Sequence, residues 1–143
     1  MLESMITDLA KINDTQYQII AARRQSYDNM MWQTPLISLT GQAFIFAIAL
    51  GSGGANAREI ASILALLIAF SSAHLLSKHR SFEVYYSQLL QDVEAARGIP
   101  QIHEKPTVGG GLVGISAYKI WVVLFGVIFP MVSASAFILA WRS

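Results

Sequence analysis

The chain of 143 residues contains no cysteine, which excludes disulfides, thiolate metal sites and cysteine nucleophiles. Charge is also scarce, because only 13% of the residues are Asp, Glu, Lys or Arg, against about 25% in an average soluble domain. The net charge of +1 and the dispersed basic residues give no electrostatic reason to expect a nucleic-acid partner. Charged residues interrupt the first 30 positions and leave no apolar stretch there, so we expect no signal peptide.

Three long runs carry no charge: Asn29 to Ala57, Ile60 to Ser77 and Ile120 to Trp141. A helix needs about 20 mostly apolar residues to cross a hydrocarbon core of about 30 Å. Three runs are too few to close a barrel, so helices remain the way to satisfy the backbone in lipid. The sequence therefore predicts an all-α integral membrane protein with three transmembrane helices, an N-terminal cytoplasmic helix and a long second helix extending into the cytoplasm.

The predicted organisation has four parts. They are an N-terminal cytoplasmic amphipathic helix (1–33), a transmembrane hairpin (34–77, with spans at about 35–51 and 58–77), a cytoplasmic helix with a Gly/Pro linker (78–117) and a third transmembrane helix (118–143). Eight of the ten basic residues lie before Trp32 or between residues 78 and 119. The positive-inside rule then places the N-terminus and the middle segment in the cytoplasm and the C-terminus outside.

Local signals predict where these helices begin and end. Residues 2–31 show a heptad-like seam in which three positions are polar. Two alternatives stay open: the seam pairs with other copies, or the segment is a lone amphipathic helix that lies against the membrane or the second cytoplasmic helix. Its members are Ile6, Leu9, Asn13, Gln16, Ile20, Arg23, Tyr27 and Met30. Thr34-Pro35 predicts a bend or a fresh helix start, since proline disfavours helix in the preceding residue.

Further signals mark the later helices. Asn56 is the predicted N-cap of the second helix. Gly98 and Pro100 are expected to end it after about 40 residues, and an apolar stripe from Phe82 to Val93 is expected along its cytoplasmic half. Pro130 is expected to kink the third helix.

Small and weakly polar residues mark one set of candidate site residues within the spans. Alanines every four residues along the second span form the small-xxx-small pattern that permits close helix contact. Gln42 is the strongest hydrogen-bonding side chain of the spans and needs a partner in hydrocarbon. The candidates for pore lining or packing are Ser38, Gln42, Ala61, Ala65, Ala69 and Ser133. Two alternatives stay open: packing within one chain, or self-association around a water-filled path.

A second set of candidates lies in the basic and aromatic residues outside the spans. Trp32 is expected at the membrane interface, where an amphipathic ring is favoured. The candidates for an interface or for gating are Arg23, Arg24, Tyr27, Trp32, Phe82, Tyr86 and Leu89.

Catalytic and metal-binding patterns are weak. Gly109, Gly111 and Gly114 match the spacing G-x-G-x-x-G, but they precede a membrane span rather than a βαβ helix, which indicates a hinge. His74 and His79 are five residues apart and fall on different helix faces, so they do not share a metal. The spans contain no central acid for ion coupling. We therefore expect no enzyme activity, no metal and no cofactor.

The layout resembles the SLATT family of small bacterial membrane proteins. The corresponding features are the basic-aromatic stretch from Arg23 to Trp32, the two-span hairpin with a small turn, and the cytoplasmic helix from Ser81 to Arg97. The resemblance covers residues 1–97, and the third span is an addition to it. It implies a pore-forming effector of nucleotide-signalled anti-phage defence in the bacterial inner membrane, without catalytic residues.

Two functional hypotheses follow. The first is an oligomeric membrane effector or channel-like protein, built from copies of the chain and gated through its cytoplasmic helices. The second is a non-catalytic membrane adaptor or structural subunit that recruits a soluble cytoplasmic partner. The lipid bilayer is an expected partner in both.

Overall fold

The computed structural model describes residues 9–102 and 116–142, and every regular element within those ranges is helical. The elements are α1 (Asp14–Ala49), α2 (Ala55–Arg97), α3 (Ala117–Val123), a π-helical turn (Leu124–Ile128) and α4 (Phe129–Trp141). The all-α prediction is therefore confirmed for the part of the chain that the structure describes.

The described residues form two compact units, and both α1 and α2 contribute to each. The charged unit contains residues 9–30 and 79–102, and the apolar unit contains residues 31–78 and 116–142. Ten of the fifteen Asp, Glu, Lys and Arg residues in the described ranges belong to the charged unit.

The start of α1 corrects the prediction of one helix over residues 2–31. The chain leaves helical geometry at residues 11–13 and α1 begins at Asp14. The backbone N–H of Asn13 donates to Gln16 Oε1 (3.0 Å), and the backbone N–H of Gln16 donates to Asn13 Oδ1 (2.9 Å). This reciprocal pair is a capping box, which satisfies two otherwise free N–H groups. Asn13 and Gln16 therefore cap the helix instead of occupying a seam.

The predicted fresh helix start at Thr34-Pro35 is also wrong. Helix α1 continues through Pro35 to Ala49 without interruption. Proline removes one backbone hydrogen bond from a helix interior, and the Pro35 ring is fully buried in the apolar unit. Burial of the ring offsets the missing bond.

Helix α2 is one continuous helix of 43 residues, close to the predicted length. It begins one residue before the predicted cap Asn56, because the Gly54 carbonyl already accepts hydrogen bonds from the amides of Ala57 (3.0 Å) and Arg58 (3.2 Å). Its end is as predicted. Gly98 has φ +65°, its amide donates to the Ala95 carbonyl, and the Ile99 amide donates to the Glu94 carbonyl. These two bonds form a Schellman motif, which requires the left-handed residue.

The third helical segment adapts to its proline by widening. Leu124–Ile128 is π-helical, and the Phe129 amide donates to the Leu124 carbonyl five residues earlier. A proline ring clashes with the carbonyl four residues before it, which for Pro130 is that of Gly126. The wider turn relieves this clash in place.

Two segments are long and apolar enough to cross a membrane, judged by length and composition: α2 and Ala117–Trp141. The predicted first span at about 35–51, whose helical part belongs to α1, falls short of the same standard within the described residues. Its polar residues Ser38, Thr40 and Gln42 lower its hydropathy.

The Gly98 geometry gives a stability prediction. Gly98→Ala places a Cβ in the left-handed region at a cost of about 1–2 kcal/mol. We expect faster amide hydrogen exchange in the last turn of α2. Gly53→Ala is the control, since a Cβ at Gly53 meets no atom within 4 Å and its φ is not left-handed. Equal exchange in both variants would contradict the Schellman assignment.

Candidate functional site

Gln42 is the central polar contact of the apolar unit. Its side chain is 1% exposed, and its Nε2 donates to the Ala65 backbone carbonyl at 2.7 Å. An alanine at position 65 leaves room for the Gln42 amide to reach the main chain of α2. Within the described residues, Gln42 Oε1 is buried and has no hydrogen-bond partner. The amide therefore joins α1 to α2 through its donor side.

Serine hydroxyls add a second polar link between the same helices. Ser72 Oγ lies 2.7 Å from Ser38 Oγ and 2.6 Å from the Ile68 carbonyl oxygen. Since each hydroxyl carries one proton, Ser72 donates to the carbonyl and accepts from Ser38. On the third segment, the buried Ser133 donates to the Phe129 carbonyl of its own helix (2.8 Å).

All six candidates for pore lining or packing lie inside the apolar unit. Ala65 and Ala69 are fully buried, and Ala61 packs in a small core with Ala49 and Ala136. Gln42 and Ser133 are buried, while Ser38 is half-buried and bonded to Ser72. Five of the six side chains are thus buried within the single chain.

The charged unit contains a buried carboxylate between two guanidinium groups. Glu83 Oε2 lies 2.5 Å from Arg80 Nη1, and Glu83 Oε1 lies 3.6 Å from Arg24 Nη2. The Glu83 side chain is only 7% exposed, whereas each arginine side chain is 34% exposed. Removing one partner of a buried ion pair leaves a poorly compensated charge. The Arg24–Glu83 pair therefore couples α1 to α2.

A second buried carboxylate lies near the end of α2. Glu94 is fully buried and accepts a hydrogen bond from the Tyr17 hydroxyl at 2.6 Å. Burial, followed by the hydrogen bond to Glu94 and the charge of Glu94, raises the pKa of Tyr17 to about 12, while Arg97 acts in the opposite direction. Arg97 Nη2 also lies 2.6 Å from Asp14 Oδ1.

Aromatic rings stack between the helices of the same unit. The Tyr27 ring centroid lies 5.0 Å from that of Phe82 and 5.7 Å from that of Tyr86, with interplanar angles of 22° and 12°. Arg23 Nη1 donates to Tyr86 Oη at 3.4 Å, and this bond raises the pKa of Arg23. Four of the predicted interface residues, namely Arg23, Tyr27, Phe82 and Tyr86, are thus brought together.

The other predicted interface residues have different surroundings. Arg24 pairs with Glu83, Leu89 is half-buried, and Trp32 belongs to the apolar unit with 57% exposure. The predicted apolar stripe of α2 is partly wrong, because Phe82 and Tyr85 are 43% and 57% exposed. The buried line instead carries polar residues, namely Glu83, Ser87 and Glu94 beside Leu90 and Val93.

The sequence analysis missed Tyr17, Glu83 and Glu94, although their spacing carries a signal. On each helix, a line of buried and half-buried residues recurs in steps of three and four. On α1 the line consists of Tyr17, Ile20, Arg24 and Tyr27. On α2 it consists of Glu83, Ser87, Leu90, Glu94 and Arg97. The predicted seam shares Ile20 and Tyr27 with this line, but its members Arg23 and Met30 are exposed. A search for apolar residues alone misses a heptad-like line of buried residues when some of its members are polar.

Metal-binding geometry is absent from residues 9–102 and 116–142, where no three His, Asp or Glu side chains are grouped to hold an ion. His103 and the glycine pattern at Gly109, Gly111 and Gly114 lie outside the described residues. The sites that the structure does show are therefore hydrogen-bonded and stacked contacts.

Comparison of the chain with protein-family models, with curated proteins and with solved structures found no match. The resemblance to the SLATT family stays a prediction.

The Tyr17 contact predicts a pH dependence. A folded-state pKa of about 12, above the ordinary 10.0, stabilises the fold at pH values below 10, and this contribution is lost as the pH rises through 12. Thermal unfolding followed by circular dichroism between pH 8 and 12 should show this loss, and Tyr17→Phe should flatten it. Tyr85→Phe, at an exposed tyrosine, is the control. Identical pH profiles for wild type and Tyr17→Phe would contradict the assignment.

Proposed function

We propose that the protein is a non-catalytic integral membrane adaptor. In this proposal the apolar unit crosses the bilayer with three helical segments, and the charged unit presents a docking surface to a soluble partner in the cytoplasm. The proposal depends on one observation, which is where the exposed apolar side chains lie.

Of the 28 exposed large apolar side chains among the described residues, 22 belong to the apolar unit. Only 33% of the most apolar stretch of α2 is buried, and only 17% of that in Ala117–Trp141. A core helix of a soluble protein buries most of its apolar residues, and contiguous exposed apolar surface marks a contact with lipid or protein. The distribution therefore supports a lipid-facing surface.

The same pattern supports a third crossing by α1. Leu36, Ile37 and Phe44 are 68–72% exposed, whereas Gln42 and Ala49 on the opposite side of the helix are buried. Helix α1 thus keeps its polar group inside and its large apolar groups outside. This arrangement suits lipid better than water, although the segment is the least apolar of the three.

The inward position of the polar groups favours an adaptor over a pore. An oligomeric pore needs polar side chains on an outer face that several copies turn toward a shared path. The candidate pore residues are instead used inside one chain, while the exposed charged side chains of the charged unit offer chemistry for a soluble partner.

One observation favours a second candidate, the oligomeric pore that the SLATT resemblance implies. Gln42 Oε1 is a buried acceptor without a partner among the described residues. Such a group costs free energy, and a rearranged assembly that hydrates it would recover that cost.

Membrane crossing is tested by single-cysteine labelling, because the natural chain has no cysteine background. Ser52→Cys and Arg142→Cys should react with a membrane-impermeant maleimide outside the cell, and Gln88→Cys only after permeabilisation. All three positions are exposed. Labelling of Gln88→Cys from outside would contradict the proposed topology. Labelling of Arg142→Cys only after permeabilisation would mean that the third segment does not cross the membrane.

Flux from liposomes separates the two functions. If the protein is an adaptor, we expect no dye or ion flux from wild type. Gln42→Leu should then lower the stability of the fold by about 0.6 and at most about 2 kcal/mol, the free energy of one interhelical hydrogen bond. A pore predicts wild-type flux that Gln42→Leu blocks with the oligomer intact, while Gln42→Ala preserves it. Wild-type flux normalised to oligomer content would overturn the adaptor proposal.

A further inference from the structure

The aromatic contacts of the charged unit leave part of their surface uncovered. The rings of Tyr27, Phe82 and Tyr86 stack, and Tyr85 meets Tyr86 edge to face at 5.3 Å. Phe82 is 43% exposed and Tyr85 is 57% exposed. We call these four rings and the neighbouring Arg23 the Arg23 patch. Adjacent exposed apolar side chains mark a candidate contact site for lipid or protein.

Arg23 gives the patch its charge. Its guanidinium is exposed and is held by the hydrogen bond from Nη1 to Tyr86 Oη, which also raises its pKa. No ion pair joins Arg23 to an acid among the described residues, in contrast to Arg24, Arg80 and Arg97. A guanidinium has five N–H donors in a planar fork that matches phosphate. One hydrogen bond therefore positions the Arg23 guanidinium, and its remaining N–H groups can donate to an anion.

The position of the patch in the sequence indicates where that anion comes from. Arg23 and Tyr27 precede the uncharged run that starts at Asn29, and Phe82 follows the run that ends at Ser77. Tyrosine is enriched at the boundary between hydrocarbon and water, where its ring is apolar and its hydroxyl is wet. Patch residues from both helices thus lie just beyond the ends of the uncharged runs. In a membrane, lipid phosphates lie at that level.

We propose that the Arg23 patch binds the phosphate of an anionic phospholipid, with Arg23 on the phosphate and the exposed rings of Phe82 and Tyr85 against the glycerol and upper acyl region. This inference rests on the membrane insertion proposed above. A second copy of the chain fits less well, because a two-fold contact centred on the patch would bring Arg23 toward another Arg23. A lipid phosphate supplies both the opposite charge and an apolar neighbour.

The test is native mass spectrometry of the purified full chain in detergent with equal amounts of phosphatidylglycerol and phosphatidylcholine of identical acyl chains. Wild type should retain phosphatidylglycerol preferentially. Arg23→Gln should lower the ratio of the two bound lipids about fivefold, the effect of one cation near an anionic surface. Arg142→Gln removes the same charge from an exposed position in the apolar unit and should leave the ratio unchanged.

Two further variants separate charge from geometry. Arg23→Lys keeps the charge without the planar fork and should retain part of the preference. Tyr86→Phe keeps the ring but removes the oxygen that holds Arg23, and should lower the preference less than Arg23→Gln does. Millimolar inorganic phosphate should not displace the bound lipid, because it has no apolar part for the rings.

Three results would overturn the inference: no lipid preference in wild type, equal losses in Arg23→Gln and Arg142→Gln, or displacement by inorganic phosphate alone. Alkaline carbonate extraction of the same membranes distinguishes this failure from failure of the proposed function. A wild-type chain that stays in the carbonate-washed pellet but shows one of those results contradicts the lipid site only. A chain released into the supernatant contradicts membrane insertion itself.

Discussion

A buried amide must find its hydrogen-bond partners within the protein, and Gln42 shows how this requirement organises the apolar unit. The Gln42 amide reaches the backbone carbonyl of Ala65, and this contact requires α1 and α2 to approach closely. Small side chains permit that approach, since Ala61, Ala65 and Ala69 are all buried. On the other side of α1, the large apolar side chains Leu36, Ile37 and Phe44 face outward. The Gln42 contact and the alanines around it thus account for the close approach of α1 and α2.

The charged unit follows the same rule with ions in place of an amide. Glu83 and Glu94 are buried, so each needs a donor from a neighbouring side chain. Arg24 of α1 pairs with Glu83, and Tyr17 of α1 donates to Glu94. Both contacts join α1 to α2, and a shift of one helix along the other would separate Tyr17 from the buried Glu94 and leave Glu83 paired only with Arg80 of its own helix.

The helical class and the long second helix were predictable because they depend on local signals. The charge-free runs follow from composition, and Gly98 ends α2 because a left-handed residue is needed there. The capping box at Asn13 and Gln16 also has a local sequence signal, but both residues fit a heptad as well, so the sequence alone does not distinguish a cap from a seam. The continuation of α1 through Pro35 was not readable, because it depends on tertiary burial of the ring.

The sequence predicts which residues belong to the candidate site better than it predicts how they are arranged in space. Gln42 and the alanine face follow from polarity and residue size alone. The direction in which they face depends on which helices pack together, and a single sequence leaves packing within a chain and packing between chains equally open. Glu83 and Glu94 were missed for a related reason, since a buried acid is recognisable only once its donor is known.

The orientation of α1 in the bilayer is the central claim, and spin-label accessibility along this helix tests it most directly. Single nitroxide labels at each position from Leu36 to Ile48, in reconstituted protein, are measured for collisions with oxygen and with a water-soluble nickel reagent. The account predicts oxygen accessibility that oscillates with the helical period of about 3.6 residues. Maxima should fall at Ile37, Phe44 and Ile48, with a minimum for both reagents at Gln42. High accessibility of position 42 to the nickel reagent would place it on a water-filled path and contradict the account.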